Sequence, residues 1–231
     1  MILVHGFAPM PPLPSPSPFC VKLETWLRMA SFAYELRPDG LLTVPKARRV
    51  SVTLEDGTGV EDTDLAVAIL AQRPAVTLDR WLTPKHRATS TLVQRTVENH
   101  LYYALLHSRW VEPEGYRAFR DAYYRPRLPP MRWILPLLAR RRGRQMVWME
   151  TARRHPSEIW AAADQDLDAL ADVLGDKPFF CGDRPSTVDA SVYGIVGSIH
   201  QAPARGPLQA LLEKRPTLVK YVERVRERYW P

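Results

Sequence analysis

A serine, a proline and a cysteine stand together in this sequence where a helix should begin: Ser17, Pro18 and Cys20. Serine followed by proline is typical of a helix N-cap with proline at the first helical position, where the missing N–H is harmless. A helix start also carries unpaired N–H groups and the positive end of the helix dipole. We therefore interpret Ser17 and the backbone that follows it as a place that can hold an anion, such as a thiolate.

The sequence offers few other catalytic patterns. His107 has no cysteine or acidic residue at metal-ligand spacing, and neither His100 nor His155 belongs to an HExxH motif or a Cys/His cluster. We predict no structural or catalytic metal. No Gly-x-Ser-x-Gly elbow is present. The two cysteines, Cys20 and Cys181, are far apart in sequence, which gives no disulfide framework and fits a reducing compartment.

The elements that must position Ser17 are a strand before it and the helix that it starts. Residues 1–7 predict a short buried strand, followed by a proline-rich loop. The apolar residues of the helix fall on one face at helical spacing. These residues are Phe19, Cys20, Leu23, Trp26, Leu27 and Ala30.

Further strands and one helix complete the first half of the chain. The predicted elements are a strand at 34–37, a hairpin of strands at 50–54 and 59–60, and a helix at 65–72. An Asp56-Gly57 turn connects the two hairpin strands, and residues 61–64 cap the helix. The order of elements is therefore β-α-β followed by β-β-α, an α/β unit.

From Thr83 onward the pattern changes to long helices without strand signals. We therefore divide the chain into an α/β domain at 1–76 and an all-helical domain at 83–231. Predicted helices cover 86–110, 113–124 and 157–174, and a capping box of Ser186 and Asp189 opens a buried helix at 190–199.

One face of the predicted helix at 86–110 is rich in rings. Tyr103, His107 and Trp110 lie at i, i+4 and i+7, so they share this face. Such a face fits an aromatic or apolar ligand. Aromatic residues at this spacing are also typical of plain core packing, and both interpretations stay open.

Composition and charge set limits on the partners. The chain has 231 residues, 45% of them hydrophobic, which is enough for a sizeable core. Its net charge of +7 favours anionic partners in general. No targeting sequence is evident and the apolar runs are too short to span a bilayer, so we expect a cytoplasmic protein.

Seven arginines crowd between Arg125 and Arg144, interleaved with Trp133, Ile134, Leu137 and Leu138. A basic amphipathic patch of this kind can lie on a membrane surface or touch nucleic acid. We favour a solvated, arginine-rich connection between helices. We therefore predict no nucleic-acid partner and keep a membrane surface as the lesser alternative.

Two stretches of the sequence resemble one protein family. They are Ser-Pro-Phe-Cys-Val-Lys-Leu-Glu-Thr-Trp-Leu-Arg at 17–28 and Leu-Gly-Asp-Lys-Pro-Phe-Phe-Cys-Gly-Asp-Arg-Pro-Ser-Thr-Val-Asp at 174–189. Both are similar to the failed-axon-connections and metaxin branch of the glutathione transferase superfamily. Residues 17–20 also resemble the Cys-Pro-x-Cys turn of thioredoxin-like folds, with serine replacing the first cysteine. The resemblance implies a thioredoxin-like domain followed by a helical glutathione-transferase domain.

The resemblance also implies roles for individual residues. Ser17 would donate a hydrogen bond to the sulfur of glutathione and stabilise its thiolate. Asp62 and Thr63 would bind the γ-glutamyl end of glutathione, the acid its ammonium and the hydroxyl its carboxylate, although both residues also fit a purely capping role. The second-substrate pocket would be lined by Phe7, Tyr103, His107 and Trp110. Cys20, without a partner cysteine at position 17, is not expected to carry out disulfide exchange.

The sequence departs from the family pattern just before the third strand. Without a gap, Val50 falls where the family has a cis-proline whose backbone contacts the cysteinyl part of glutathione. A cis bond before a non-proline residue costs about 2.5–4 kcal/mol, so we expect a trans bond at Val50. Arg49 would supply the neighbouring backbone. Pro45 would fit the pattern only with extra residues inserted before the hairpin.

Three functions follow from these observations. The first, which we favour, is a glutathione transferase that activates the glutathione thiol for attack on, or reduction of, a small hydrophobic electrophile, in a homodimer. The second is a catalytically silent binding or scaffolding protein with the same fold, possibly at a membrane surface. The third is a binder of anionic membranes or nucleic acid that uses the arginine patch.

Overall fold

The computed structural model describes residues 1–38, 51–151 and 154–231, with the side chains of residues 51 and 149–151 left out. Four strands form one mixed sheet in the order β2-β1-β3-β4. β1 pairs in parallel with β2 and antiparallel with β3, and β3 pairs antiparallel with β4. The strands are β1 (Ile2–His5), β2 (Tyr34–Arg37), β3 (Ser51–Thr53) and β4 (Gly59–Glu61). The predicted β-α-β and β-β-α order is therefore confirmed.

Two helices accompany this sheet, α1 (Pro18–Met29) and α2 (Thr63–Ala71). Ser17 is the N-cap of α1 and Pro18 its first residue, as the serine-proline pair predicts. α1 is buried on nearly all sides, Lys22 and Glu24 included, because the sheet covers one face and the helical half of the chain covers the other.

A long helical segment follows the sheet. Residues 86–110 were expected to form one helix; the structure has α3 (Pro84–Thr96) and α4 (Tyr102–Trp110), joined by a π-helical turn over Val97–Leu101. A π turn carries one extra residue per turn and shifts the faces of the helix on either side of it. Which residues of α4 face the sheet domain therefore depends on this turn.

The remaining helices form the rest of the second half. They are α5 (Pro113–Tyr123), α6 (Met131–Thr151), α7 (Pro156–Leu174), α8 (Thr187–Val192), α9 (Ser198–His200), α10 (Pro207–Glu213) and α11 (Pro216–Tyr229). A second π turn, Tyr193–Gly197, joins α8 to α9. This central segment is buried, and the predicted capping box of Ser186 and Asp189 opens it.

The arginine-rich stretch differs from the expected connection. Most of it belongs to α6, a helix of 21 residues that contains Pro136. Arginine, methionine, glutamine and glutamate are all good helix formers, and they make up most of the second half of this helix. Pro136 lies near the start and removes only one backbone hydrogen bond. The interpretation of the patch as a connection between helices was therefore wrong for residues 131–144, which are helical.

The buried apolar residues form two large clusters. One lies under the sheet and includes Ile2, Val52 and Leu70, whereas the other lies within the helical half and includes Leu101, Leu167 and other residues. The approach of Gly194 to the backbone of α1 brings the two halves together, because a Cβ at this glycine would lie 2.7 Å from the Pro18 carbonyl oxygen. The domain boundary between residues 76 and 83 stays a prediction.

Among the described helices, none combines the length and the apolar character needed to cross a membrane.

Candidate functional site

A cleft of about 890 Å³ lies where the starts of α1 and α2 face the helical half of the chain. α3, α4, α5 and α6 supply its other walls. It brings together most of the residues that the sequence singled out. These are Phe7, Ser17, Asp62, Thr63, Tyr103 and Trp110.

Ser17 lies half-buried in this cleft. Its backbone is extended, and its Oγ accepts a hydrogen bond from the N–H of Cys20 at 3.4 Å, the bond of a helix N-cap. The N–H of Ser17 donates to Oγ of the buried Ser15 at 3.3 Å. The Ser15 side chain thus helps to fix the backbone of Ser17. The Ser17 hydroxyl also lies within hydrogen-bonding reach of the Cys20 thiol, and its proton can turn from that sulfur to a ligand in the cleft.

Cys20 lies behind the site rather than in it. Its side chain is fully buried, and burial raises the pKa of the thiol to about 11, which the nearby hydroxyls of Ser17 and Ser15 only partly oppose. The thiol is therefore neutral near pH 7. Because only the thiolate is a good nucleophile, Cys20 is not suited to redox or nucleophilic chemistry. Cys181 is also buried and is also a free thiol.

Asp62 and Thr63 begin α2 at the opposite wall of the cleft. Asp62 is the N-cap, with Oδ1 accepting from the N–H groups of Asp64 at 2.7 Å and Leu65 at 3.2 Å. Thr63 is the first residue of the helix and is buried. The capping role of Asp62 is therefore real, and both residues also face the space in front of Ser17.

A buried lysine that sequence reasoning missed joins these walls. Nζ of Lys22 lies 2.5 Å from Oδ1 of Asp64 and 2.6 Å from Oε1 of Glu98, and Gln94 donates to the same Asp64 oxygen at 3.0 Å. Asp64 and Glu98 line the cleft. In the sequence, Lys22 lies four residues after Pro18 and four before Trp26, so it shares a face of α1 with these two buried residues. A lysine on that buried face was the signal that could have identified it.

The aromatic wall differs from the prediction at one residue. Tyr103 and Trp110 line the cleft, but His107 does not. The lining face of α4 is centred on Leu106, and His107 is rotated from it by about 100°, the step of one residue in a helix.

His107 packs instead against the ring of Trp160 in α7, with centroids 5.4 Å apart. Its Nε2 lies 3.5 Å from Oε1 of Glu112, and burial lowers the pKa of the imidazole. The assignment of His107 to the second-substrate pocket is therefore wrong.

Other residues of this wall were not expected from the sequence. Arg109 of α4 is buried in the cleft, and Phe119, Tyr123 and Tyr124 come from α5 and the residue after it. α6 closes the wall through Gly143, where a Cβ would lie 2.4 Å from the indole of Trp110. Only a glycine allows α6 to approach this closely.

Two predicted ligand contacts cannot be placed. Arg49 and Val50 lie outside the described residues, directly before β3. Their assignment to the cysteinyl part of glutathione therefore stays a prediction. No group of three or more His, Cys, Asp and Glu side chains within 1–38, 51–151 and 154–231 could hold a metal ion. That the protein needs no metal likewise stays a prediction.

Family models match both halves of the chain. A glutathione S-transferase N-terminal domain model matches residues 18–115, and a glutathione S-transferase C-terminal domain model matches residues 163–225. Together these ranges cover more than two thirds of the chain.

Curated relatives agree with these models. An isoprene-epoxide–glutathione S-transferase from Rhodococcus sp. (strain AD45) is 28% identical over 99% of both chains. Failed axon connections from Drosophila melanogaster is 26% identical over 100% of this chain and 58% of its own length. A metaxin-1 homologue from Caenorhabditis briggsae is 30% identical over 68% of this chain and 49% of its own length. The chain thus spans only about half the length of the last two relatives.

The fold is also found among solved structures. A glutathione transferase homologue from Sulfitobacter, solved with bound glutathione, aligns over 98% of this chain and 92% of its own, with a TM-score of 0.58 and 15% identity. At this identity the likeness concerns the fold alone. With both family models matched and the sheet and helices arranged in the same way, the chain belongs to the glutathione S-transferase superfamily, with failed axon connections and the metaxins among its relatives.

Proposed function

We propose that this protein binds glutathione and joins its thiol sulfur to a small electrophile, so that the whole glutathione molecule becomes part of the product. The observation that carries the proposal is the position of the Ser17 hydroxyl, which opens into the cleft at the N-terminus of α1. Its oxygen accepts the Cys20 N–H, and a sulfur anion in the cleft would be a stronger acceptor for its proton than the neutral Cys20 thiol.

The surroundings of Ser17 fit a bound sulfur anion. α1 has 12 residues and no acidic residue in its first turn, so the positive end of its dipole is not neutralised there. Cys20 is buried and neutral, so it adds no competing negative charge. The cleft next to Ser17 is mostly apolar, with Phe7, Phe19 and Trp110 on its walls. In such surroundings a hydrogen bond to an anion is stronger than in water.

Thr63 and Asp62 support the other end of a glutathione molecule. A carboxylate at the start of α2 would meet the helix N-terminus and the Thr63 hydroxyl, as anions commonly do at helix starts. Asp62 adds a negative charge on the same wall, which suits an ammonium group. These two residues are from an element other than that of Ser17, so the ligand would span the cleft.

Glutathione would supply the thiol, and the chain would supply the means to ionise it. A free thiol titrates near pH 8.5, and a helix N-terminus with a donated hydrogen bond lowers this value. The role of Ser17 is to hold the anion by hydrogen bonding, because the described residues that line the cleft include no histidine that would make the serine itself a nucleophile. Ser17 is thus a catalytic residue without a covalent step.

The Rhodococcus relative supports an electrophile of small size. It matches this chain over nearly its whole length, and its name gives an epoxide as the substrate and glutathione as the donor. We therefore infer a small electrophile, with an epoxide as the first reactive group to test. Assembly into a homodimer and a cytoplasmic location stay predictions.

Isothermal titration with reduced glutathione tests the binding step. We expect binding to the wild-type protein, weaker binding to Thr63→Val and nearly unchanged binding to Thr63→Ser, which keeps the hydroxyl. If neither the wild-type protein nor the variants release or absorb heat on titration, and circular dichroism shows that they are folded, the proposal is wrong.

A second candidate function rests on the outer face of α6. Trp133, Leu137 and Trp148 are between 57% and 72% exposed and share one face of the helix with Arg141 and Arg144. Exposed apolar patches of this kind commonly mark an interaction surface, and tryptophan with arginine suits an anionic membrane surface. The candidate is a binding protein that uses the fold without catalysis.

Co-sedimentation with vesicles separates this candidate from the first. Binding to anionic vesicles that falls with salt and is lost in Trp133→Ser/Trp148→Ser would favour it. Leu92→Ser is a matched control, because Leu92 is 70% exposed on α3, outside this face. Equal binding by neutral and anionic vesicles, or none by either, would remove the candidate.

A further inference from the structure

Arg109 is a buried cation in the wall of the cleft. Its side chain is only 7% exposed, and Nη1 donates a hydrogen bond to the carbonyl oxygen of Pro16 at 2.5 Å. The guanidinium also lies over the ring of Phe119, 4.4 Å from its centroid. Since Pro16 directly precedes Ser17, these contacts place the positive charge beside the start of α1.

No carboxylate of the described residues pairs with this charge. Among the described residues, no Asp or Glu oxygen lies within ion-pair distance of Arg109. Its ionisable neighbours are the phenols of Tyr102 and Tyr124, which are neutral near pH 7, and burial raises the pKa of both further, to about 12 for Tyr102. Burial in turn lowers the pKa of the Arg109 guanidinium to about 10, which still leaves it charged.

The other buried cations of the described chain show the contrast. Lys22 contacts the carboxylates of Asp64 and Glu98 within 2.6 Å. Arg215, which is 8% exposed, has two aspartates as partners, at 2.6 Å and 2.7 Å. A buried charge without a partner destabilises the folded protein even after its surroundings relax. An anion that enters the cleft would offset this cost at Arg109.

The neighbours of Arg109 indicate what the rest of such an anion would be. Trp110 and Phe119 pack edge to face at 5.1 Å and, with Phe7 and Leu135, give the cleft an aromatic and apolar wall. The hydroxyl of Tyr123, on the same wall, is buried and has no hydrogen-bond partner among the described residues. A flat apolar body with one acidic group would contact the rings, the guanidinium and a hydroxyl donor.

We propose that Arg109 binds the carboxylate of an aromatic acid, so that the second substrate of this protein is an anionic aromatic electrophile rather than a neutral one. The inference deepens the proposed function, because it names the class of molecule that would meet the glutathione sulfur. The guanidinium forms an ion pair with the carboxylate through the nitrogens that do not bind Pro16. The rings of Trp110 and Phe119 hold the aromatic body beside Ser17.

The test is an isothermal titration with naphthoate and its neutral counterpart naphthamide, without glutathione. We expect naphthoate to bind the wild-type protein about tenfold tighter or more, the range of a hydrogen bond to a charged group. Arg109→Met should abolish this preference, whereas Arg109→Lys should keep part of it. Arg142→Met is the matched control, because Arg142 is an exposed arginine of the same cleft, and it should keep the preference.

Two results would overturn the inference. One is equal affinity of the wild-type protein for naphthoate and naphthamide, which needs no variant and is independent of whether Arg109→Met folds. The other is a preference for naphthoate that survives in Arg109→Met.

A second titration places the anion site relative to glutathione. Saturating glutathione should leave the affinity for naphthoate unchanged, and displacement of naphthoate would contradict the inference, because Arg109 would then serve glutathione itself. Failure of glutathione to bind would count against the proposed function alone, since the preference for naphthoate is measured in its absence.

Discussion

Nζ of Lys22 lies 2.6 Å from Oε1 of Glu98, and this pair connects the middle of α1 to the π turn between α3 and α4. Both side chains are almost completely buried, and Asp64 at the start of α2 contacts the same nitrogen. One ammonium group therefore ties together three elements that line the cleft. The pair fixes the start of α1, with Ser17, relative to the helical wall.

Removal of Lys22 alone should be costly. Lys22→Met leaves the Glu98 carboxylate buried without its partner, and breaking a buried pair in this way costs about 3–5 kcal/mol. We expect urea denaturation to show a loss of this size in the free energy of unfolding. Lys22→Met combined with Glu98→Gln removes both charges and should recover part of it. A single variant as stable as the wild-type protein would show that the pair does not hold these elements together.

Variants of Ser17 should separate its structural role from its chemical role. Ser17→Ala removes the N-cap acceptor and the donor, so we expect a loss of about 1 kcal/mol in stability and of about 100-fold in kcat for glutathione conjugation. Ser17→Asp keeps an acceptor for the Cys20 N–H but has no proton to donate near pH 7.

Ser17→Asp should therefore be stable and inactive, and Ser17→Thr, with both functions, should be stable and active. Conjugation of glutathione to a small epoxide is the assay, with thermal unfolding measured on the same samples. Full turnover by Ser17→Asp would rule out hydrogen-bond donation by residue 17.

Thr63 should contribute to the affinity for glutathione rather than to turnover. Thr63→Val keeps the shape of the buried side chain and removes its hydroxyl, and loss of a hydrogen bond to a carboxylate costs about 1.5–3 kcal/mol. We expect KM for glutathione to rise about tenfold or more with little change in kcat. Thr63→Ser should behave like the wild-type enzyme. A fall in kcat at constant KM would instead place Thr63 near the reacting atoms.

Glu24 should make stability depend on pH. Its carboxylate is buried in α1 and accepts from the Tyr34 hydroxyl at 3.0 Å, and burial raises its pKa from 4.5 to about 7. Because the folded-state pKa exceeds that of the unfolded chain, the stabilising contribution of the protonated Glu24 carboxyl to folding is fully present below about pH 4.5. It is then lost as the pH rises through about 7.

The stability of Glu24→Gln should therefore match that of the wild-type protein below about pH 4.5 and exceed it by up to about 3 kcal/mol near pH 8. Glu55→Gln is the control: its pairing with Arg73 lowers the pKa of Glu55 from 4.5 to about 2, so its effect on stability should stay constant between about pH 6 and 8 and change in the opposite direction to that of Glu24→Gln at lower pH. The measurement is the free energy of unfolding across this range. A constant difference between Glu24→Gln and the wild-type protein would contradict the assignment.

Local signals explain why much of the fold could be predicted from the sequence. Helix caps act over three or four residues, so Ser17, Asp62 and the pair Ser186 and Asp189 could be identified without knowledge of the tertiary structure. Alternation of apolar and polar residues around Asp56-Gly57 likewise determined the hairpin. Both helix starts of the cleft were therefore predictable, and the family resemblance indicated that they lie together.

The remaining features depend on contacts between distant elements. The rotation of His107 away from the cleft follows from the packing of α4 against Trp160 in α7, which no local pattern shows. Arg109 looked like an ordinary helical arginine, because its burial depends on Phe119 of α5 and the carbonyl of Pro16. α6 was mistaken for a connection because Pro136, the prolines just before residue 131 and the arginines outweighed its helix propensity in the interpretation.

The pH titration of bound glutathione is the most direct test of the central claim, that Ser17 stabilises its thiolate. The ultraviolet absorbance of the thiolate gives the midpoint of the titration. The same protein without glutathione is the blank, which accounts for the two buried cysteines of the chain. We predict that the wild-type protein lowers the thiol pKa by about one unit or more from its free value near 8.5, and that Ser17→Ala removes most of this shift. A midpoint equal to that of free glutathione in the wild-type protein, or the same lowered midpoint in Ser17→Ala, would contradict the account.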